Sequence, residues 1–166
     1  VNFMHIFVKN KKLFVSYYNI KCAVGKRGIG TKKKEGDLIT PKGNFKIKSI
    51  LYRKDRVFNF APIVSKLPIK KLMGWCDDTR SKQYNKLIRY PFNFSAEKLY
   101  RTDNIYDIIL VLNYNCNPIR KNKGSAIFIH IAKNNYSATA GCIAISKKDM
   151  KKVIKEIDKE TIVNIS

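Results

Sequence analysis

Acidic residues are scarce in this sequence of 166 residues, which holds 12 Asp and Glu against 34 Lys and Arg. The formal net charge at pH 7 is therefore +22, and no acid precedes Glu35. An excess of this size predicts an anionic partner, namely nucleic acid, a lipid headgroup surface or a cell-wall polymer. An AT-rich coding bias explains the same lysines without any partner, so the charge alone selects none of these.

Long apolar runs are also missing. No stretch approaches the roughly 20 apolar residues that a membrane-spanning helix needs, which excludes a transmembrane segment. The N-terminal residues lack the basic segment, long apolar stretch and small-residue cleavage site of a secretory signal. We therefore expect a mature or truncated chain, or a route of export that the sequence does not reveal.

Cysteine and histidine are few and far apart. The sequence has four Cys and two His and contains no C-x-x-C pair. Structural zinc sites need four ligands, usually in two closely spaced pairs, so we expect no metal. A disulfide framework is not expected either, because the cysteine density is low and a chain of this length supports a core without cross-links. At least one cysteine is then expected to serve through its thiol.

The abundant residues predict a mainly β fold. Hydrophobic residues make up 45% and aromatic residues 11%, enough for a core, and the length fits a single domain over residues 1–166. Lys9-Asn10-Lys11 is expected to form a hairpin turn, and 107–112 reads as a central strand buried on both faces. The apolar runs predict strands over 3–8, 12–18, 20–24, 45–50, 107–112, 126–131 and 162–165.

Few helices are expected. An apolar stripe at helical spacing predicts a helix over 147–159, with Ser146 as its N-cap and Asp149 three residues later. Ser95 is expected to cap a second, short helix through Leu99. Residues 52–91, which contain three prolines, predict an irregular excursion or lid over the β scaffold.

His130 and Cys142 are the candidates for chemistry. Cys142 follows His130 by twelve residues, with a polar loop and Gly141 between them. A thiol becomes a strong nucleophile as thiolate, and an adjacent imidazole is its usual activator. Backbone amides near Gly141 would hold an oxyanion. The alternative is that Cys142 is a small buried hydrophobe and His130 a hydrogen-bonded core residue, as such residues more often are.

Two motifs resemble a known family. His130 followed by Thr139-Ala140-Gly141-Cys142 resembles the active-site signature of the YkuD-type L,D-transpeptidases, a His and then Ser/Thr-x-Gly-Cys. Upstream, residues 40–45 are similar to that family's Thr-Pro-x-Gly-x-Phe block, which opens a strand. Residues 75–85 and 124–128 resemble a compact bacterial branch, so that the resemblance covers about residues 20–165.

The resemblance implies a single β-sandwich-type catalytic domain with a few short helices, and peptidoglycan chemistry in the periplasm or cell envelope. Cys142 would attack the diaminopimelate carbonyl of a tetrapeptide stem and expel D-alanine, while His130 moves the proton and amides around Gly141 hold the oxyanion. A side-chain amine of a second stem would complete the cross-link. Water in its place would make the protein an L,D-carboxypeptidase or a cross-link-cleaving amidase (endopeptidase). We expect no cofactor, a monomer, and binding to the anionic wall polymer.

Three positions depart from the family pattern. Ala144 stands where Arg or Asn is usual, Ile131 where Gly is common, and Ala140 where His is common. A polar contact is therefore lost or supplied elsewhere. The nucleophile and the base are retained, but the preferred acceptor is open.

Arg80 is our candidate for the lost contact, as a bidentate partner of a stem carboxylate. The alternative is that Arg80 pairs with Asp77 or Asp78 and only pins the excursion. Trp75, Thr139 and Ala140 are the other residues expected to bind substrate.

A basic nucleic-acid-binding module is the main rival from another class. It ranks below the enzyme, because the aromatics lie mostly on apolar strands and form no basic–aromatic array for stacking bases. We therefore expect no specific nucleic-acid partner. A wall-binding domain without catalysis is a third interpretation.

Overall fold

Fourteen short strands and one helix form the regular structure of residues 5–57 and 64–166, which are the residues that the computed structural model describes. The strands are β1 (Ile6–Lys9), β2 (Lys12–Val15), β3 (Tyr18–Lys21), β4 (Ile29–Gly30), β5 (Thr40–Pro41), β6 (Gly43–Tyr52), β7 (Lys66–Pro68), β8 (Met73–Cys76), β9 (Leu87–Arg89), β10 (Ala96–Lys98), β11 (Ile108–Leu112), β12 (Phe128–Ile131), β13 (Ile143–Ile145) and β14 (Ile162–Ile165). The helix is α1 (Lys147–Glu156). The predicted mainly β class is confirmed.

The largest sheet nearly closes on itself. Its strand order is β13-β12-β11-β6-β14-β1-β2-β3, with β7 also beside β6. Beyond β3, Ala23 exchanges both backbone hydrogen bonds with Ala144 of β13, at 2.8 and 2.9 Å. Because this bridge joins the two ends of the strand order, it satisfies backbone groups that an open edge would expose. The result fits the β-sandwich-type domain.

The strands at the centre of this sheet are buried on both faces, as the continuous apolar runs predict. All five residues of β11 and all four of β12 are buried. One core lies between the main sheet and α1, which contributes Met150, Val153 and Ile154. The other core lies on the opposite face of β11 and β12, where Phe128 packs with Trp75.

The N-terminal strands agree with the sequence prediction in the first turn and differ in the second. Asn10 and Lys11 have φ of 49° and 59°, which fits a two-residue type I′ hairpin. The single strand predicted over 12–18 is instead β2 and β3, because the chain reverses at Ser16, where φ is 52°. Residues 3 and 4 of the first predicted strand lie outside the described residues.

Helix α1 begins as predicted and ends earlier. The Asp149 amide donates to the Ser146 hydroxyl at 3.1 Å, which is the expected N-cap. The helix ends at Glu156 rather than 159. A local turn follows, in which the Thr161 amide donates to the Asp158 carbonyl at 3.2 Å. The Asp158 amide donates to Thr161 Oγ1 at 2.9 Å, and Asp158 Oδ1 accepts from the amide of Glu160 at 2.8 Å.

Two predictions of local structure are wrong. The short helix expected after Ser95 is strand β10, which pairs antiparallel with β8. So short a helix would not be stable alone, and pairing with β8 supplies backbone hydrogen bonds instead. The excursion 52–91 is not irregular either, since it contains β7, β8 and β9; strands of three or four residues are too short to show alternation. Its residues 58–63 lie outside the described residues.

Strands β10, β8 and β9 form a second, three-stranded sheet. Trp75 of β8 and Leu99 after β10 pack with Phe128 in the second core, so this sheet covers one face of β11 and β12. Among residues 5–57 and 64–166, no helix has the length and apolar character required to cross a bilayer.

Candidate active site

A cleft of about 320 Å³ lies where the turn before β13 meets the end of β12. Five of the residues predicted from the sequence line it, and these are His130, Thr139, Ala140, Gly141 and Cys142. Glu97 of β10 and Asp77, which directly follows β8, line the same cleft. The structure therefore brings the candidate nucleophile and base together and lays part of the predicted lid against them.

The pairing of β12 with β13 brings Cys142 and His130 to one face of the sheet. The two strands are parallel, with His130 opposite Ala144. Cys142 precedes Ala144 by two residues, and side chains two residues apart in an extended chain point to the same face. His130 and Cys142 therefore face the same cleft.

His130 is held as a neutral base. Its Nδ1 lies 2.9 Å from the carbonyl oxygen of Ile131, and because a carbonyl only accepts, Nδ1 carries the hydrogen and Nε2 the free lone pair. Its ring packs edge-to-face against Tyr106, with centroids 5.3 Å apart. Burial lowers the pKa of His130 to about 4. The imidazole is thus uncharged at neutral pH.

The thiol of Cys142 is also neutral in the resting site. Its Sγ donates to the carbonyl oxygen of Ala126 at 3.0 Å. Burial raises the pKa of Cys142 to about 12, and the negative charge of Glu97 adds to the rise. The amide of Phe128 acts in the opposite direction. The resting pair is therefore a thiol and an imidazole, rather than a thiolate and an imidazolium.

The turn before Cys142 requires glycine. Gly141 has φ of 147°, and a Cβ there would lie 3.0 Å from the carbonyl oxygen of Ile39. Its amide donates to Thr139 Oγ1 at 3.1 Å, and that hydroxyl donates to the Cys142 carbonyl at 2.6 Å. The Cys142 amide has no hydrogen-bond partner among the described residues. One amide of the predicted oxyanion site is thus available, while Thr139 occupies the other.

A glycine-rich segment fixes the position of this turn. The amide of Thr139 donates to the carbonyl of Val24 at 3.0 Å, and the amide of Lys26 donates back to Thr139 at 2.9 Å. Between them, the Gly25 amide donates to the buried Thr40 hydroxyl at 2.8 Å. A Cβ at Gly25 would lie 2.4 Å from the carbonyl oxygen of Leu38, so this close approach also needs glycine.

Arg80 and Trp75 are not among the residues that line this cleft. The guanidinium of Arg80 binds the carboxylate of Asp78 through Nε at 3.0 Å and Nη2 at 2.8 Å, and its side chain is 78% exposed. Trp75 is buried, packs edge-to-face on Phe128 at 5.2 Å, and donates from Nε1 to Asn85 at 3.0 Å. The structure therefore places Trp75 behind β12 and pairs Arg80 with Asp78 in the loop between β8 and β9.

Three carboxylates in the cleft were not predicted from the sequence, and they are Glu35, Asp77 and Glu97. Only Glu35 carried a signal, as the first acid after nine basic residues. Asp77 lies in the segment that we predicted to be an excursion or lid, and Glu97 lies in the segment that we predicted to be a short helix. Lys133 from the loop after β12 also lines the cleft.

The three carboxylates differ in the number of hydrogen bonds that they accept from side-chain hydroxyls. Glu35 accepts from the hydroxyls of Tyr84 and, at 2.9 Å, Ser125. Glu97 accepts from the hydroxyl of Tyr106. Asp77 Oδ1 is buried and has no hydrogen-bond partner among the described residues. Burial raises the pKa of both glutamates, and the charge of Asp77 raises them further.

These groups do not form a metal centre. In residues 5–57 and 64–166, no set of three or more His, Cys, Asp or Glu side chains is arranged to hold a metal ion.

Comparison with known protein families yields a match over nearly the whole chain. The sequence model of the YkuD family, described as the L,D-transpeptidase catalytic domain, matches residues 2–165. A search of curated proteins found no match. The family match covers the cleft and both of the motifs that resemble the family.

Proposed function

The chain belongs to the YkuD family of L,D-transpeptidase catalytic domains, and we propose that it catalyses acyl transfer from one peptidoglycan stem peptide to another. The family acts on peptidoglycan in the cell envelope. The observation that carries the proposal is that Cys142 and His130 line one cleft beside a glycine turn. We propose Cys142 as nucleophile and His130 as base.

The first step forms a thioester. Nε2 of His130 takes the thiol proton as Cys142 Sγ attacks the diaminopimelate carbonyl of a tetrapeptide stem. The bond from that carbonyl to the terminal D-alanine breaks, and His130 returns the proton to the leaving amine. The Nδ1 hydrogen bond to Ile131 supports this role, because it orients the ring and leaves Nε2 free.

The oxyanion of this step needs donors near the turn. The Cys142 amide is the first candidate, since it has no other partner among the described residues. The Gly141 amide becomes the second when Thr139 releases it. Thr139 therefore controls the second donor of the site.

The second step resolves the thioester. A side-chain amine of another stem attacks the acyl carbon, the carbon–sulfur bond breaks, and His130 moves the amine proton to the departing thiolate. Attack by water instead gives a trimmed stem, or a cut cross-link if the acyl donor was cross-linked. The preferred acceptor separates a transpeptidase from a hydrolase at the same site.

Mass spectrometry of the protein incubated with disaccharide-tetrapeptide tests the proposal. We expect an acylated protein and a cross-linked dimer from the wild type and from Cys116→Ala, whose cysteine lies outside the cleft. We expect neither from Cys142→Ala, with circular dichroism unchanged. A tripeptide without dimer would assign the hydrolytic alternative, and dimer formed by Cys142→Ala would overturn the role of Cys142.

A further inference from the structure

Three carboxylates line the cleft of a protein whose net charge is +22. Glu35 comes from the loop after β4, Asp77 follows β8, and Glu97 lies in β10. Three separate parts of the chain thus bring negative charge to the one cleft that holds Cys142.

Within the described residues none of the three carboxylates forms an ion pair, although Lys32 and Arg101 lie near enough to lower the pKa of Glu35 and Glu97, respectively. The hydrogen bonds to these carboxylates come from neutral hydroxyls. Lys32, which also lines the cleft, donates from Nζ to the Asp37 carboxylate at 2.6 Å and to the carbonyl oxygen of Ile39 at 3.1 Å. A buried carboxylate oxygen without a partner, such as Asp77 Oδ1, costs free energy unless a ligand satisfies it.

This arrangement works against the nucleophile when the cleft is empty. Negative charge beside a thiol disfavours its thiolate, and Glu97 acts on Cys142 in this way. A cation bound between the carboxylates would offset that charge. An ammonium group carries the opposite charge and donates hydrogen bonds, so it suits an unpartnered acceptor such as Asp77 Oδ1.

We propose that Glu35, Asp77 and Glu97 form a subsite for the primary ammonium group of a peptidoglycan stem peptide. This inference rests on the proposed function, in which diaminopimelate supplies such a group. Donor and acceptor stems both carry it, so the chemistry of the subsite is the same for either. Asp77 Oδ1 accepts an ammonium hydrogen, and Glu35 and Glu97, which interact electrostatically with Asp77, add negative charge to the site.

Equilibrium binding tests the subsite without requiring turnover. Calorimetry on Cys142→Ala compares a tetrapeptide stem that has a free side-chain amine with the same stem acetylated on that amine. Charged hydrogen bonds of this kind predict that the free amine binds about tenfold to hundredfold more tightly. Equal affinity for the two peptides would overturn the subsite.

Variants assign the preference to these residues. In the Cys142→Ala protein, either Asp77→Asn or Glu97→Gln should bring the ratio of the free-amine affinity to the acetylated-stem affinity close to one. Thermal unfolding confirms that each variant folds. Glu160→Gln removes the same charge from an exposed residue that pairs with Lys46, and should leave the ratio unchanged. A ratio that survives both cleft variants would overturn the assignment.

Kinetic experiments that start from the wild-type protein show whether the bound ammonium group belongs to the donor stem or to the acceptor stem. An acetylated tetrapeptide serves only as donor, and a free-amine tripeptide without D-alanine serves only as acceptor. If the donor is bound here, acetylation slows acylation; if the acceptor is bound here, Asp77→Asn raises the KM for the tripeptide. A tight free-amine complex with no turnover would refute the proposed function while leaving the subsite intact.

Discussion

The resting charges of Cys142 and His130 follow from burial of both side chains. Burial raises the pKa of the thiol to about 12 and lowers that of the imidazole to about 4, so neither is ionised at neutral pH. In the reaction that we propose, the proton must therefore move from sulfur to nitrogen. Binding of the proposed ammonium group would favour this transfer, because a cation would offset the charge of Glu97.

Alkylation of Cys142 should depend steeply on pH. Below its pKa the thiolate fraction rises about tenfold per pH unit, so the iodoacetamide rate should climb between about pH 6 and pH 9 without a plateau. Glu97→Gln should raise the rate, because it removes negative charge beside the sulfur. Mass spectrometry of the peptide that contains Cys142 measures both effects. A plateau near neutral pH would show that the free protein already holds a thiolate.

Gly141→Ala should lose activity and stability together. The backbone at φ 147° is strained for alanine, at a cost of roughly 1–3 kcal/mol, and the new Cβ would press on the Ile39 carbonyl. Gly28→Ala is the matched control, because Gly28 also has positive φ, 82°, but nothing lies within 4 Å of its Cβ position. Urea unfolding and the acylation rate report the two effects. Normal acylation by a folded Gly141→Ala protein would contradict the role of this turn.

The elements predicted correctly from the sequence are those with a long apolar run or with a short motif that acts within a few residues, such as a cap or a turn. Strands β11, β12 and β14, the cap of α1 and the turn at Asn10 all carry their own signals. Strand β10 did not, because a three-residue strand exists only through its pairing with β8. Dependence on pairing between distant segments also explains which residues of the cleft were predicted from the sequence and which were missed. His130 and Cys142 are twelve residues apart on neighbouring strands, whereas Asp77 and Glu97 arrive through the fold of the second sheet.

Asp78 helps to stabilise the second sheet. Its carboxylate accepts from the Arg80 guanidinium and, at 3.2 Å, from the amide of Ser95 ahead of β10. These hydrogen bonds hold the pKa of Asp78 well below its usual range. The carboxylate thus ties the end of β8 to the start of β10, the two strands that bring Asp77 and Glu97 to the cleft.

Arg80→Lys should therefore change stability slightly and substrate binding little. An exposed ion pair contributes little, so we expect Tm to fall by no more than about 2 °C and KM for the stem peptide to stay within about twofold. Asp78→Asn should lower Tm further, because it also weakens the bond to the Ser95 amide. If Arg80→Lys instead raised KM at unchanged Tm, the sequence prediction of a substrate-binding Arg80 would be right.

At the scale of the whole molecule, charge is divided between surface and cleft. The chain carries +22 overall, yet the cleft gathers Glu35, Asp77 and Glu97. The surface charge suits an anionic polymer such as the wall, while the cleft suits a cationic group on that polymer's stems.

Binding to purified sacculi should therefore be electrostatic and independent of the cysteine. Raising salt from about 0.1 M to 1 M shortens the screening length from roughly 10 Å to 3 Å, so most of the bound protein should be released. Cys142→Ala should bind as the wild type does, because the surface lysines and not the thiol make this contact. Filter binding to random DNA at physiological salt is the control for non-specific attraction. DNA binding tighter than sacculus binding, and unaffected by Cys142→Ala, would favour the nucleic-acid module over the wall enzyme.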